Sequence, residues 1–376
     1  MSFEFTACLV VVFLMAGFGA PVALSMIIGA IAYLGISGQD LALAGEQIIQ
    51  GIYNSFVLLA VPLFIVAANI MNAGAISDRL LQFCVAIVGH LKGVLGDVNV
   101  LSSLIFSGMS GSAVADAAGV GNVIIRMMTK EGRYNSGYAA ALTAASATIG
   151  PIIPPSIPMV IFALVSDVSI GYLFIAGLVP GLFMGLVLMI VNRYLAARMN
   201  VVVEARTPLR EVPMITMRAF PTLMMPVILL YGIYGGVTTP TEAAAVAAIY
   251  ALLLAAIVYR SISMRELTAA FRKSAISSAS VGLVISAALI FNYIVATEGL
   301  PTQIANQLSS WNLSTIGFLL MVNLIYLVLG CVLDATTVIL VVVPLLIPAC
   351  RELGVDTVYF GIITMVNLMI GLITPP

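Results

Sequence analysis

The sequence predicts an all-α polytopic membrane protein built from two repeats, each carrying broken helices and re-entrant segments. Three observations lead there. Of 376 residues, 62% are hydrophobic and 8% charged, against roughly 25% charged in an ordinary globular chain, and the mean hydropathy of +1.17 agrees. Cut into spans of about 20 residues, the apolar share fills roughly ten or eleven crossings. Glycine, proline and serine also interrupt the apolar runs more often than simple spanning helices require, which lipid tolerates only where the freed backbone faces protein or a cavity. Finally, the chain matches itself: VPLFIVAANI (Val61 to Ile70) and VGLVISAALI (Val281 to Ile290) agree at six of ten positions, where random apolar sequence gives roughly one or two.

Two further landmarks keep the same order and spacing. GPIIPP (Gly150 to Pro155) matches GLITPP (Gly371 to Pro376) at four of six positions, and Pro21 falls opposite Pro240, all near a spacing of 220 residues. The chain therefore divides into a first repeat (1–192), a cytoplasmic linker (193–218) and a second repeat (219–376) that looks incomplete. The linker is the most polar stretch, with Arg193, Arg198, Glu204, Arg206, Pro208, Arg210, Glu211 and Arg218; it holds five of the fifteen basic residues and is placed in the cytoplasm by the positive-inside rule. Apolar character from Phe5 to Ile36 predicts a first membrane helix, interrupted near Gly17 to Pro21, with no cleaved-signal pattern ahead of it. The segments Ala75 to Gly93 and Pro301 to Ser314 are polar and weakly amphipathic, suited to arms along the membrane surface; for the first, a steeply tilted crossing is equally open.

A formal net charge of −1, with no basic stripe, argues against nucleic acid as a partner. Cys8, Cys84, Cys331 and Cys350 stand singly in apolar sequence, which points to small buried hydrophobes and not to a disulfide or thiolate metal site. Duplicated halves with matched helix breaks are the signature of a secondary transporter, whose substrate and coupling ions bind where unwound backbone offers carbonyls and helix ends offer dipoles. Hydropathy alone does not decide whether the halves are inverted or parallel.

The densest unusual stretch is FSGMSGSAVADAAGVGN (Phe106 to Asn122), with Ser107, Ser110, Ser112 and Asp116 among small residues. Hydroxyls, freed carbonyls and one carboxylate suit a hard cation. Small residues also serve plain helix packing in lipid, but that does not account for Asp116, since an ionisable side chain in a membrane segment is costly enough to imply function. In the second half GCVLDATT (Gly330 to Thr337) sets Asp334 in the place of Asp116, beside Thr336 and Thr337. Capping of a helix N-terminus remains the other reading of Asp334, and the two can coexist. The pairs Pro154–Pro155 and Pro375–Pro376 cannot continue a helix, so upstream carbonyls need partners, and a cation is one candidate; a tight surface loop is the other reading of the pairs.

An enzyme reading rests on GxSG at Gly108 to Gly111, which intramembrane serine proteases use. That chemistry needs a histidine to take the serine proton. The only histidine is His90, in GHLKG, an interfacial context; with no second histidine and no HExxH, zinc hydrolysis also fails.

At Gly235 to Ala248 the sequence reads GGVTTPTEAAAVAA, and this resembles the signature of the large membrane subunit, DctM type, of tripartite ATP-independent periplasmic (TRAP) transporters. SGMSGSAVADAAGVG, GPIIPPS and NLMIGLITPP resemble that family's blocks in the family's order, so the likeness covers essentially the whole chain. The resemblance implies an elevator-type ion-transporter fold with two inverted repeats, each giving a helical hairpin and a broken helix to a moving domain. It also implies a multi-pass protein of the bacterial inner membrane, sodium as coupling ion with no other cofactor, an organic-acid substrate, a small four-helix membrane subunit and a periplasmic substrate-binding protein. By similarity, Ser110, Ser112 and Asp116 belong to the first hairpin and its neighbour, and Gly150, Pro154 and Pro155 to the first helix break; Asp334, Thr336, Thr337, Asn367, Gly371 and Thr374 are the second-repeat counterparts. Asn367 falls opposite Ser146, and the serine-glycine cluster has no literal second copy. Glu242, just after Pro240, reads as a helix cap beside the dipole.

A stand-alone sodium-coupled carboxylate or divalent-anion transporter is the alternative within transport, and an uncoupled channel or scaffold the alternative outside it. In the first repeat GPIIPP is followed by SIPMVIFA, Asp167 and a long apolar run from Ile170 to Val191 that must cross the membrane, whereas the second repeat stops at GLITPP. The repeat logic therefore predicts about 50 further residues in the natural protein, completing the second break and adding a spanning helix.

Overall fold

The structure is a computed structural model and describes residues 2–73, 76–88, 93–199, 208, 210–311 and 313–375. Along them run α1 (Phe3–Gly17), α2 (Val22–Ile36), α3 (Ala42–Asn54), α4 (Ala60–Ala73), α5 (Ile76–Val88), α6 (Val94–Ser110), α7 (Ala113–Asp116), α8 (Asn122–Thr129), α9 (Ser136–Ala147), α10 (Ile157–Ser166), α11 (Ile170–Arg198), α12 (Val212–Tyr234), α13 (Pro240–Leu253), α14 (Met264–Thr297), α15 (Leu300–Ser310), α16 (Thr315–Val332), α17 (Ala335–Glu352) and α18 (Thr357–Leu372). Among the described residues seven helical segments are long and apolar enough to cross a membrane, and five further apolar helices are shorter. The composition suggested roughly ten or eleven crossings because it counts those short helices as spans.

The chain packs as two compact units: unit A is residues 60–159 and 170–275, unit B residues 1–59, 160–169 and 276–376. Each unit takes its hairpin from one repeat and its leading helices from the other. In unit A, α4 of the first repeat lies along α13 of the second. Ala60, Ala67 and Ala68 on one and Ala243, Ala244, Ala247 and Ala251 on the other are buried, so the AAAVAA run is a small-residue face that lets two helices approach closely in an apolar medium. In unit B, α1 and α2 of the first repeat reach the end of α14 of the second. Phe5 packs on Phe291 with ring centroids 6.5 Å apart, and Glu298 accepts from the Ser2 hydroxyl at 2.6 Å and from Tyr33 Oη at 2.9 Å.

The N-terminal segment departs from the expected single interrupted helix. Gly19, at φ +85°, turns the chain, and α1 and α2 pack against each other as a hairpin. A Cβ on Gly29 would stand 2.5 Å from Val12 Cγ2 and 3.1 Å from the Cys8 carbonyl, so glycine permits the close crossing. At 1.5 Å per residue each arm is about 22 Å long, short of the hydrocarbon thickness.

Helix α5, within the Ala75 to Gly93 segment, buries Ile76, Ser77, Leu80, Leu81 and Cys84, one stripe at helical spacing, and packs on α12 and α6. Helix α15, from the Pro301 to Ser314 segment, packs on α17 through a face that buries Leu300, Ala305 and Leu308 and leaves Trp311 exposed. The polar stretch 193–218 is helical at both ends, since α11 runs to Arg198 and α12 starts at Val212. Arginine is a good helix former, so charge alone did not end those helices. Glu204 and Arg206 lie outside the described residues. Three of the four cysteines are buried, Cys331 is intermediate, and all are free thiols.

Candidate functional site

In unit A, α6 and α7–α8 form a hairpin whose tip is Ser110, Gly111 and Ser112. Helix α6 ends because Gly111 adopts the left-handed conformation (φ +59°), and Ser112 restarts the chain as N-cap, its hydroxyl accepting from Ala115 N at 3.4 Å. With 17 residues, α6 is short for a crossing yet almost entirely buried, as a re-entrant arm requires. Past the tip, the Asp116 carboxylate accepts hydrogen bonds from the Ser110 hydroxyl and, at 3.5 Å, from that of Ser107. All three side chains are within 2% of full burial. A π-helical stretch, Ala117–Gly121, then leads into α8.

The break between α9 and α10 lies against this tip. A Cβ on Gly150 would stand 2.8 Å from Asp116 Oδ2, one on Gly111 would collide with the Pro155 carbonyl, and one on Gly108 would lie 3.7 Å from that of Pro154. Glycine at Gly111 and Gly150 is what lets the two irregular segments touch, while at Gly108 the approach is an ordinary contact. Pro155 has no N–H to give the Pro151 carbonyl; the Ser156 hydroxyl supplies it at 2.5 Å and itself accepts from Met159 N at 3.2 Å. One carbonyl expected to await a cation is thus satisfied within the chain. The break is seated by a glycine stripe on α11: a Cβ on Gly181 would meet Ile153 at 2.5 Å, and one on Gly185 would meet Leu104 of α6 at 2.7 Å.

A buried polar ladder joins α6 to α9. Asn99 Nδ2 donates to Thr143 Oγ1 at 2.7 Å, Ser103 Oγ to Ser146 Oγ at 3.1 Å, and Ser146 Oγ to Asn99 Oδ1 at 3.3 Å. At the base of α6 the Asp97 carboxylate accepts from Asn192 Nδ2 and Arg193 Nε, each at 2.8 Å, while Tyr138 Oη donates to Asn192 Oδ1 at 2.7 Å. Of these residues sequence reasoning named only Ser146 and Arg193, and it gave neither of them a partner within these groups. The rule applied to Asp116, that an ionisable residue inside an apolar run is functional by default, applies equally to Asp97.

Unit B repeats the arrangement. Helices α16 and α17 form the second hairpin, and α16 meets the second break one turn before the tip: a Cβ on Gly371 would stand 2.8 Å from the Gly330 Cα. Asp334 is the N-cap of α17, accepting from Thr337 N at 3.1 Å and Thr337 Oγ1 at 2.5 Å. By helix position its counterpart is Ser112, the N-cap of the first hairpin, and not Asp116. The sequence pairing differed because it matched the two carboxylates without a shared motif to fix the register. Thr336 is half-buried in the first turn of α17. Asn367 Nδ2 donates to Asn323 Oδ1 on α16 and to the Ile363 carbonyl at 2.8 Å, which makes it the counterpart of Ser146 with Ser103. Thr374 Oγ1 donates to the Ile370 carbonyl at 2.8 Å. Pro375 is exposed beyond α18; Pro376 lies outside the described residues.

The structure therefore gathers Ser110, Ser112, Asp116, Gly150, Pro154 and Pro155 at one hairpin–break contact. It sets Gly371 at a second contact, with Asp334, Thr336 and Thr337 at the tip just beyond, and Asn367, one turn before Gly371 on α18, against Asn323 of α16. Glu242 is a cap as expected: Thr239 N donates to Glu242 Oε2 at 2.7 Å and Glu242 N to Thr239 Oγ1 at 3.3 Å, with Pro240 in the first turn. His90 lies outside the described residues. The GxSG serine, Ser110, spends its hydroxyl on Asp116.

Two repeats, each seating a helical hairpin against a helix break, define a polytopic helical membrane transporter. Residues 9–376 match the family described as the tripartite ATP-independent periplasmic transporter, DctM component, and the chain belongs to that family. It is 39% identical over 359 residues to the sialic acid TRAP transporter large permease protein SiaM of Vibrio cholerae, covering 95% of this chain and 84% of that protein. To the C4-dicarboxylate TRAP transporter large permease protein DctM of Pseudomonas aeruginosa it is 39% identical over 321 residues, covering 85% and 75%. In fold it is similar to the YdaH transporter of Alcanivorax borkumensis, with a TM-score of 0.60 and 15% identity over 84% of this chain and 72% of that one. A transport component, and not a hydrolase, is the identity these relations give.

Proposed function

We propose that this chain is the transport subunit of a sodium-coupled, elevator-type importer of organic acids, working in a bacterial cytoplasmic membrane with a small four-helix subunit and a soluble periplasmic receptor. One observation carries the reading: in each repeat a hairpin is seated against a helix break, and in the first a buried carboxylate with two hydroxyl donors lies at that seat. A carboxylate has about four acceptor positions, so two serines leave room for a hard cation, which favours carboxylate and hydroxyl oxygens. The relatives named for sialic acid and C4-dicarboxylates favour an anionic organic acid, and the family's tripartite name favours the two partners.

The test is uptake of a labelled organic acid into vesicles holding the chain with its genome-adjacent small subunit and receptor. Accumulation is expected only with an inward sodium gradient. Uptake indifferent to sodium, or driven equally by a proton gradient alone, removes the coupling.

A further inference from the structure

Helix α17, the second arm of the second hairpin, contains Pro344. Proline has no N–H for the carbonyl four residues back, which here belongs to Leu340. The structure gives that carbonyl another donor: Asn292 on α14 points its Nδ2 at Leu340 O from 3.0 Å. A carbonyl only accepts, so the carboxamide must present its nitrogen. Leu340 is 1% exposed, and a buried carbonyl left unpaired would cost as much as a lost hydrogen bond.

We propose that Asn292 is a positioning residue for the second hairpin tip. By closing the hydrogen bond that Pro344 opens, it holds the first turns of α17, and with them Asp334, Thr336 and Thr337, in one orientation. Leu340 lies one turn past Thr337, the residue whose amide and hydroxyl fix the Asp334 carboxylate, so the repaired bond is next to the tip.

The first repeat supports this independently. Asn72 precedes Asn292 by 220 residues, the spacing of the matched segments Val61 to Ile70 and Val281 to Ile290. The second arm of the first hairpin is also irregular just past its tip, in the π-helical stretch Ala117–Gly121. There a Cβ on Gly119 would stand 2.6 Å from Asn72 Oδ1. Each repeat thus sets an asparagine, from the second helix ahead of the hairpin, beside an irregular turn of the hairpin's second arm.

The test is a double-mutant cycle read by hydrogen exchange of the full chain in lipid nanodiscs, which needs no transport. Asn292→Leu is expected to speed exchange of the α17 amides at 335–343 by about five- to tenfold, the scale of one buried hydrogen bond. Pro344→Ala returns a helical N–H to Leu340, so Asn292→Leu in that background is expected to change little. Asn292→Ala, which removes the donor without adding bulk, is carried through the same cycle. Unchanged exchange in the single variants, or an equal increase in both backgrounds, would overturn the proposal. The consequence for the site rests on the transport reading: the sodium concentration for half-maximal uptake should rise in the single variants and return in the double ones. If exchange follows the cycle while uptake is sodium-independent, the transport reading fails and the positioning role stands.

Discussion

Gly150 faces Asp116 so closely that a Cβ on the glycine would stand 2.8 Å from the carboxylate Oδ2. The backbone of the helix break is thereby brought to the buried carboxylate at the hairpin tip, and the Ala147 carbonyl lies 3.1 Å from the same Cβ position, so acceptor oxygens from two elements meet there.

If that point binds sodium, Asp116→Asn keeps the shape and removes the charge. Half-maximal activation of uptake is then expected to shift to at least tenfold higher sodium, roughly 1.4 kcal/mol. Gly150→Ala should shift it in the same direction, since a real Cβ contact is never so short and the carboxylate must move. Wild-type activation in both variants would dissociate the site from the ion.

Asp334 makes a different prediction because it caps α17. Asp334→Ala is expected to lower stability by about 1 kcal/mol, and Asp334→Ser by much less, since serine also caps. Thermal unfolding in detergent separates these. Sodium activation measured on Asp334→Ser then asks whether the carboxylate does more than cap: an unchanged midpoint confines Asp334 to the helix end.

What was legible in the sequence was local backbone chemistry. Pro21, Gly111 and GPIIPP announce breaks wherever the chain goes next, because a missing N–H or a left-handed turn needs no tertiary context. The Thr239–Glu242 capping box is equally self-contained. The exchange of leading helices between repeats was not legible, since the α4–α13 contact joins alanines nearly 180 positions apart and alanine carries no address. Asp97 and Asn192 are separated by 95 positions, so no spacing rule could pair them. The register between Ser112 and Asp334 was missed because equivalent caps use different residues, while the eye matches carboxylate to carboxylate.

The group at the base of α6 should be structural. Asp97 and Asn192 are fully buried, whereas the Arg193 side chain is 52% exposed. Asn192→Leu strips a donor from a buried carboxylate and from the Gly93 carbonyl, 2.9 Å away, and is expected to cost about 3 kcal/mol or more. Arg193→Met, which removes a half-solvated partner, should cost about 1 kcal/mol or less. Chemical unfolding of the two variants gives the ranking; the reverse order would mean that the ion pair, and not the amide, holds the base.

Dependence on partners is a separate expectation. The purified chain alone, reconstituted without small subunit or receptor, should accumulate no substrate under a sodium gradient, and adding both should restore uptake. Robust uptake by the single chain would return the reading to a stand-alone carboxylate transporter.

The last prediction concerns pH and the tie between the N-terminal hairpin and α14. Glu298 lies just past the apolar span ending at Thr297. The hydrogen bond from the Ser2 hydroxyl, with a weaker one from Tyr33, holds its carboxyl below the ordinary value of 4.5 against the opposing effect of desolvation. A carboxyl depressed in the folded state binds its proton less readily there than in the unfolded chain. Its contribution is therefore complete above 4.5 and fades as the pH falls through the folded value. Glu298→Gln should lower the unfolding midpoint of the solubilised chain at neutral pH, and the gap to the wild type should close as the solution is acidified past the carboxylate range. Ser2→Ala removes the first cause of the depression and should narrow the same gap from the wild-type side. A Glu298→Gln difference that persists unchanged into acid would show that the side chain acts through its shape and not through its charge.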